Sequence, residues 1–455
     1  MDVDGSHILR RPRYAWERAL LGISSLYLVG GTVRDMLLGA SEASLDEDYL
    51  VSGLPLERLV AALEPFGALN LVGKSFGVVK FTPRGERTVD ISLPRSEFST
   101  GLGHRDFAVR FDPQLPVEKD LERRDFTINS MALDLAASTL IDPLGGRRDL
   151  ELRILRVNRP DSFVEDPLRI LRGVQFMARL ELEPEPGTVA LMRRHASLLR
   201  TVSPERVQIE LDKMLLRAPR PSRGFVFMHE AAVLPEILPE LEATYGVTQN
   251  EYHPDDVFMH SVRSCDLVRP ELHLRWAALL HDVGKKEKKA VIDGRVVFYR
   301  HEEESERAAI EILGRLRYPR ALIEKVAALI RHHMFHITGE WSDAAVRRFI
   351  ARAGRENIAD LLALREADGC SRGDLSVIEQ NRLIERRIDA IVASDAALKI
   401  TDLAVDGRDV MKTLGLESGP EVGEVLRRLF DAVLERPEMN TRELLIERMR
   451  EERLK

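Results

Sequence analysis

The stretch Leu28-Val29-Gly30-Gly31-Thr32-Val33-Arg34-Asp35, with Asp46-Glu47-Asp48 close behind it, narrows what this chain can fold into more than any other feature. An apolar run that ends in Gly-Gly and reopens as a helix imposes a strand-turn-helix unit. Glycine carries no side chain to hold a ligand away, so such a turn brings bare backbone amides up to a phosphate. Two carboxylates at i and i+2 of a strand point to one face. There they can hold divalent metal against the same phosphate chain. The order and closeness of the two halves point to nucleotidyl transfer by a two-metal mechanism.

At 455 residues the chain exceeds one ordinary domain. A content of 44% hydrophobic and 31% charged residues reads as globular, and the net charge of −7 argues against an overall positive coat. Nucleic-acid binding is left to local stripes of Lys and Arg. Two cysteines, Cys265 and Cys370, cannot build a disulfide framework and fit a reducing cytoplasm. No apolar run approaches membrane-spanning length and no signal peptide is read, so no membrane partner is expected. No heptad seam indicates an oligomeric state.

Over residues 24–142 short β-rich segments alternate with helical ones. Strands are expected at 26–29, 48–52, 78–82 and 88–92, with a helix over 33–38. From about residue 163 the pattern becomes almost wholly helical. Pro184, Pro186 and Gly187, then Pro219 and Pro221, mark breaks between helices. The fold class expected is α+β, a small mixed head leading into a long helical body.

Further motifs carry chemistry. Asp90 lies in a strand candidate and could complete a set of three carboxylates with Asp46 and Asp48. In Arg123-Arg124-Asp125-Phe-Thr-Ile-Asn129 the arginine forks suit phosphate, and Asn129 falls one helical turn beyond Asp125. Asp142-Pro-Leu-Gly145-Gly146 reads as a turn suited to a hinge. In Glu165-Asp166-Pro-Leu-Arg169-Ile-Leu-Arg172, Asp166 accepts and Arg169 donates from one helix face, so together they offer both halves of a base-pairing edge. Singly, these motifs have plainer readings: a solvated acidic doublet, a surface Arg–Asp network, an i,i+3 salt bridge.

In sequence order these pieces, with Glu205-Arg206-x-x-x-Glu210, resemble the class II tRNA nucleotidyltransferases, the CCA-adding enzyme family. The resemblance implies a nucleotidyltransferase-type mixed sheet head over residues 20–155 and a helical neck and body over 156–250. It implies Mg²⁺ held by Asp46 and Asp48. Nucleotide contacts fall to Gly30, Gly31, Arg34, Arg123, Arg124, Asp125, Asn129 and Arg172. Asp166 and Arg169 would serve as a protein template for CTP and ATP, and tRNA would be the partner. Tyr49 departs from the aliphatic residue more usual in the family, a change expected to alter packing rather than chemistry. The family's flexible loop corresponds to residues 95–109. Its presence disfavours CC-only activity and leaves full CCA addition and A-only addition open.

The second half carries a separate signature: His260, His281-Asp282-Val-Gly284-Lys285, His301, His332-His333 and Asp368. Imidazoles and carboxylates suit Mn, Fe, Ni, Zn or Mg. The set resembles the HD-domain metal phosphohydrolases. That implies core ligands His260, His281, Asp282 and Asp368 for a divalent transition metal such as Ni²⁺ or Mn²⁺, with His301 and His333 serving a second metal or phosphate. The HD domain is expected over 251–375 and a helical tail over 376–455, whose glycine turns near Gly407 and Gly419 are candidate tRNA-phosphate sites. Cyclic phosphodiesterase, 2′-nucleotidase and phosphatase activities are implied. The alternative is a hydrolase or RNA-binding protein with an inactive transferase head; a poly(A) polymerase is the weaker third.

Overall fold

The computed structural model describes residues 12–41, 46–72, 78–99, 107–249, 254–335, 341–394 and 397–453. The chain forms two compact units, Met1–Pro239 and Glu240–Lys455.

The first unit opens with α1 (Ala15–Leu21) and strand β1 (Ser25–Val29), then α2 (Gly31–Leu37), β2 (Asp48–Ser52), α3 (Leu56–Leu63), β3 (Gly67–Val72), β4 (Val78–Pro83) and β5 (Val89–Ser92). A hairpin of β6 (Arg95–Ser99) and β7 (Phe107–Phe111) follows, then α4 (Val117–Glu122), β8 (Ala132–Asp134) and β9 (Thr139–Ile141). Seven strands form one mixed sheet in the order β3-β4-β5-β2-β1-β8-β9, in which only the β2–β5 pair is parallel. The strands expected from the sequence are all present. Tyr49, Leu50 and Val51 are fully buried, as a central strand covered on both faces requires. Trp16 of α1 packs edge-on against Tyr49 and Phe81, with centroids 5.0 and 5.4 Å away.

Tyr49 has a polar task as well. Its hydroxyl lies 2.8 Å from Glu17 Oε1 and 2.9 Å from Glu47 Oε2. Glu47 is therefore tied to the face opposite its two neighbouring aspartates.

The unit continues as helices: α5 (Gly146–Glu151), α6 (Ser162–Glu165), α7 (Leu168–Leu180), α8 (Pro186–His195), α9 (Pro204–Arg217) and α10 (Pro221–Glu230). Pro186, Pro204 and Pro221 each open a helix, where a missing N–H costs nothing. Phe126, fully buried, packs at 6.0 Å against Phe176 and 6.3 Å against Phe163. Burying such a ring is worth about 2 kcal/mol, and here it ties the Arg-Arg-Asp turn to α7. The hinge expected at Asp142–Gly146 is instead a locked turn. Asp142 accepts the amides of Gly146 and Arg147 at 2.7 and 3.0 Å. A Cβ on Gly146 would lie 2.1 Å from the Thr127 carbonyl oxygen.

The second unit is built of helices, including Val257–Leu267, Leu272–Leu280, His301–Arg315, Arg320–His332 and Ile358–Ser371, with Trp276 fully buried. One departure from the all-helical expectation is a hairpin of Ala290–Ile292 and Arg295–Val297. Asp293 and Gly294 turn it with φ of 50° and 74°, the Asp-Gly signal of a tight hairpin. Val410, Leu429, Leu445 and Met449 centre a separate core near the C-terminal end. Among the described residues no helix is long and apolar enough to cross a membrane.

Candidate functional site

A cleft of about 490 Å³ in the first unit is lined by Gly30, Gly31, Arg34, Asp46, Asp48, Arg124, Asp125, Asn129, Asp166, Arg169 and Arg172. Residues spread over 140 positions of sequence are thus brought to one hollow. Gly30 turns the chain with φ +66°, and α2 starts immediately after it. The β2 strand begins at Asp48, so Asp46 is not a strand residue as the i, i+2 pattern implied; it sits on the lead-in. Thr32 fixes that lead-in. Its Oγ1 donates to the Asp46 carbonyl at 2.8 Å and accepts the Asp48 amide at 2.9 Å. Burial pushes the Asp48 carboxyl up to about 6; Arg124 works against this, while Asp46 and Asp90 add to it.

Asp90 stands beside Asp48 in the parallel β2–β5 register. Lys80, its cross-strand neighbour on β4, lies 2.9 and 3.2 Å from its two oxygens. Asp90 faces a smaller hollow of about 260 Å³, shared with Asp48, Arg95, Arg123 and Arg124, rather than the main cleft.

The Arg-Arg-Asp motif is not on one helix with Asn129. The α4 helix ends at Glu122, and Thr127–Asn129 forms a short 3₁₀ turn. The shared face expected from helical spacing is replaced by a direct bond, in which Asn129 Nδ2 donates to Asp125 Oδ1 at 3.0 Å. Asn129 Oδ1 accepts Arg34 Nη1 at 2.6 Å, so both ends of this amide are engaged within the protein. Asp125 also accepts Arg172 Nε at 2.8 Å. Burial would raise its carboxyl, yet Arg172, Asn129 and Arg169 hold it at about 2.

Asp166 ends α6, and Arg169 occupies the first turn of α7. Arg206 Nη2 donates to both Asp166 oxygens at 3.2 and 3.0 Å. Arg169 donates to Ser162 Oγ at 2.8 Å and to the Arg123 carbonyl at 3.1 Å. The Asp166–Arg169 pair is thereby held from α9 on one side and from the Arg-Arg-Asp turn on the other.

Sequence reasoning missed Asp120. Fully buried, it accepts Arg123 at 2.6 and 2.9 Å and Arg124 at 3.3 Å, and although burial opposes it, Arg124 and Arg123 hold its carboxyl below the ordinary value. Its position three and four residues before the arginines was the available signal. Phe176, Arg179, Lys213 and Arg217 also line the cleft. Of the loop at 95–109, residues 100–106 lie outside the described residues.

In the second unit six side chains converge. His260 Nε2 lies 3.2 Å from His281 Nε2, 3.3 Å from Asp282 Oδ2 and 3.0 Å from Asp368 Oδ1. The other Asp282 oxygen lies 3.0 Å from His301 Nε2, which is 3.3 Å from His333 Nε2. Two donor groups of metal-binding size therefore share Asp282. The Nδ1 atoms of His281, His301 and His333 face the carbonyls of Ala278, Phe298 and Ile330 at 2.8, 2.9 and 2.6 Å. His260 Nδ1 faces Ser371 Oγ at 2.9 Å. A carbonyl can only accept, so Nδ1 of those three carries a proton and Nε2 points at the centre, where it becomes a metal-binding lone pair once its own proton is given up. Arg372 holds Asp368 Oδ2 at 3.1 Å, leaving Oδ1 inward. Burial opposes charge here, but Asp282 and Asp368 hold His281 up at about 10, and both carboxyls lie well below their usual range.

The tail's glycine-opened helix is self-capped. Asp406 accepts the amides of Arg408 and Asp409 at 2.8 and 3.1 Å, which uses the donors that an anion at Gly407 would need.

Residues 26–156 match the sequence family described as "Poly A polymerase head domain", residues 181–244 that described as "Probable RNA and SrmB- binding site of polymerase A", and residues 296–449 a "tRNA nucleotidyltransferase domain 2". The "A-adding tRNA nucleotidyltransferase" of Deinococcus radiodurans is 36% identical, covering 89% of this chain and 90% of its own. The "Multifunctional CCA protein" of Xanthomonas campestris pv. campestris is also 36% identical, covering 88% and 96%. The Bacillus stearothermophilus CCA-adding enzyme, solved in complex with CTP, superposes with a TM-score of 0.69 at 25% identity over 97% of this chain and 98% of that one. With such identity along nearly the whole of its length, the chain belongs to the CCA-adding enzyme family, the class II tRNA nucleotidyltransferases.

Proposed function

We propose that the protein adds C, C and A in turn to the 3′ end of tRNA, using CTP and ATP and no nucleic-acid template. The observation that carries this is that Asp46, Asp48, the Gly30–Gly31 turn and the Asp166–Arg169 pair all line one cleft. The 3′-hydroxyl oxygen of the RNA attacks the α-phosphorus of the nucleotide, and pyrophosphate leaves. Asp46 and Asp48 would hold Mg²⁺: an all-oxygen donor set suits a hard cation, and crowding among carboxylates, part of what raises Asp48, is what a cation relieves. When bound, such ions lower the pKa of the attacking hydroxyl and neutralise the leaving group. The chain's own residues do the rest. The Gly30 amide is taken by the Met131 carbonyl at 3.1 Å, so the Gly31 amide and the Arg124 guanidinium receive phosphate, Arg123 and Asp125 orient the sugar side, and Asp166 and Arg169 meet the Watson–Crick edge of the base.

Transcripts lacking the terminal CCA, or only the final A, offered CTP alone, ATP alone or both, test the reading. Growth by three nucleotides with both substrates is expected; no incorporation with Mg²⁺ present overturns it. The A-adding relative from Deinococcus radiodurans favours a second reading, in which the chain adds only the last A. Growth with ATP only on ends already carrying CC would select that reading.

We further propose that the second unit is an HD-type phosphohydrolase. His260, His281, Asp282 and Asp368 would hold one divalent transition metal, and His301 and His333 with the second Asp282 oxygen another or a phosphate. The Nδ1 locks support it, since they leave imidazole Nε2 atoms converging on carboxylates. Release of phosphate from 2′,3′-cyclic or 2′-phosphorylated nucleotides, dependent on added Ni²⁺ or Mn²⁺ and abolished in His281→Ala, is the expected result.

A further inference from the structure

Helix α7 presents Arg169, Arg172, Phe176 and Arg179 on one stripe, and all four line the cleft. Three guanidiniums surround the Phe176 ring: Arg34 at 5.2 Å, Arg172 at 5.3 Å and Arg179 at 5.6 Å from its centroid. Two of them are committed. Arg34 bonds Asp35 and Asn129, and Arg172 bonds Asp125. Among the described residues no hydrogen bond or ion pair is found for Arg179, nor for Arg217, the next cation of the cleft at the end of α9. Half-buried positive charge without a partner is costly. Burial and the nearby charge of Arg34 together push Arg179 down to about 10.

Position says what belongs there. Arg169 and Arg179 are ten residues apart on one helix, about 15 Å along its axis. That matches the distance from base to last phosphate in an extended nucleoside triphosphate. Arg179 shares the Phe176 ring with Arg34 of the Gly-Gly helix, so it lies at the phosphate end of the cleft, opposite the base-reading end. A guanidinium drawn to an aromatic ring, as Arg179 is at 5.6 Å from the Phe176 centroid, loses part of its freedom there while its N–H fork stays suited to two phosphate oxygens at once.

We infer that Arg179, assisted by Arg217, binds the terminal phosphates of the incoming nucleotide and the pyrophosphate that leaves. This rests on the reading of the cleft as the nucleotide site. It adds a charge-specific contact that neither the carboxylates nor the base-reading pair supplies.

The test uses the full chain with Mg²⁺ and compares binding of CTP, CMP and inorganic pyrophosphate in wild type, Arg179→Gln and Arg179→Lys. Arg179→Gln should weaken CTP and pyrophosphate about ten- to hundredfold and leave CMP unchanged, with Arg179→Lys in between. Arg217→Gln, at an exposed position that does not threaten the fold, should weaken CTP and pyrophosphate in the same selective way. Equal loss of CTP and CMP would mark a structural role and overturn the inference. So would weaker binding of a tRNA transcript with CTP affinity intact, since the phosphate held would then be the RNA's. Wild-type protein that binds neither CTP nor ATP would overturn the nucleotide-site reading itself, a result distinct from any variant's selectivity.

Discussion

Gly30 combines φ +66° with ψ −126°, a region open to glycine and costly for other residues. A Cβ there would also lie 2.6 Å from Arg124 Nη1. Gly30→Ala should therefore cost about 2 kcal/mol in denaturant melts and, if Arg124 receives phosphate as proposed, raise KM for both CTP and ATP by displacing its guanidinium. Asp125 makes a different prediction. Its ionised form is favoured in the folded protein, where it titrates at about 2 against an ordinary 3.8. The stability it contributes is complete above about pH 4 and is lost as pH falls through about 2, roughly 2 kcal/mol in all. Thermal melts of wild type and Asp125→Asn should differ at pH 5 and converge toward pH 2; curves that run parallel down to pH 2 would refute it.

At the level of elements, α7 and α9 are tied together at the cleft, because Arg206 of α9 holds both oxygens of Asp166 just before α7. Arg206→Ala frees that carboxylate to swing. It should lower kcat/KM for CTP and ATP about tenfold and raise incorporation of UTP and GTP, which single-nucleotide extension with each triphosphate would measure. Such cross-element bonds explain what could and could not be read from sequence. The β1 strand and its Gly-Gly turn were legible because glycine pairs and apolar runs have local causes. Asp166 and Arg169 were legible as neighbours at helical spacing. That Asp46 precedes its strand was not, since the start of β2 depends on Thr32, fourteen residues earlier, gripping both ends of the lead-in. Asn129 lies beside Asp125 through a 3₁₀ turn rather than on one α-helix, so spacing gave their nearness by the wrong geometry. Asp120 was passed over because a lone carboxylate near two arginines looks the same on a surface, and only burial distinguishes it.

On the scale of the whole molecule, the two candidate centres lie in different compact units, and each draws its polar residues from its own unit alone. The all-oxygen Asp46–Asp48 group and the imidazole-rich centre around Asp282 also favour different ions. Chemistry at one should then survive damage to the other. Asp48→Asn should depress nucleotide addition about a thousandfold, the scale expected when metal-borne charge stabilisation of several kcal/mol is lost, and leave metal-dependent phosphate release unchanged. Asp282→Asn removes the carboxylate common to both donor groups of the second unit. It should abolish phosphate release and bound transition metal, measured by elemental analysis of the purified protein, while tRNA extension proceeds at the wild-type rate. If Asp282→Asn instead slowed extension with CTP binding intact, the second centre would be coupled to the transferase cycle, and treating the two units as separate catalysts would be wrong.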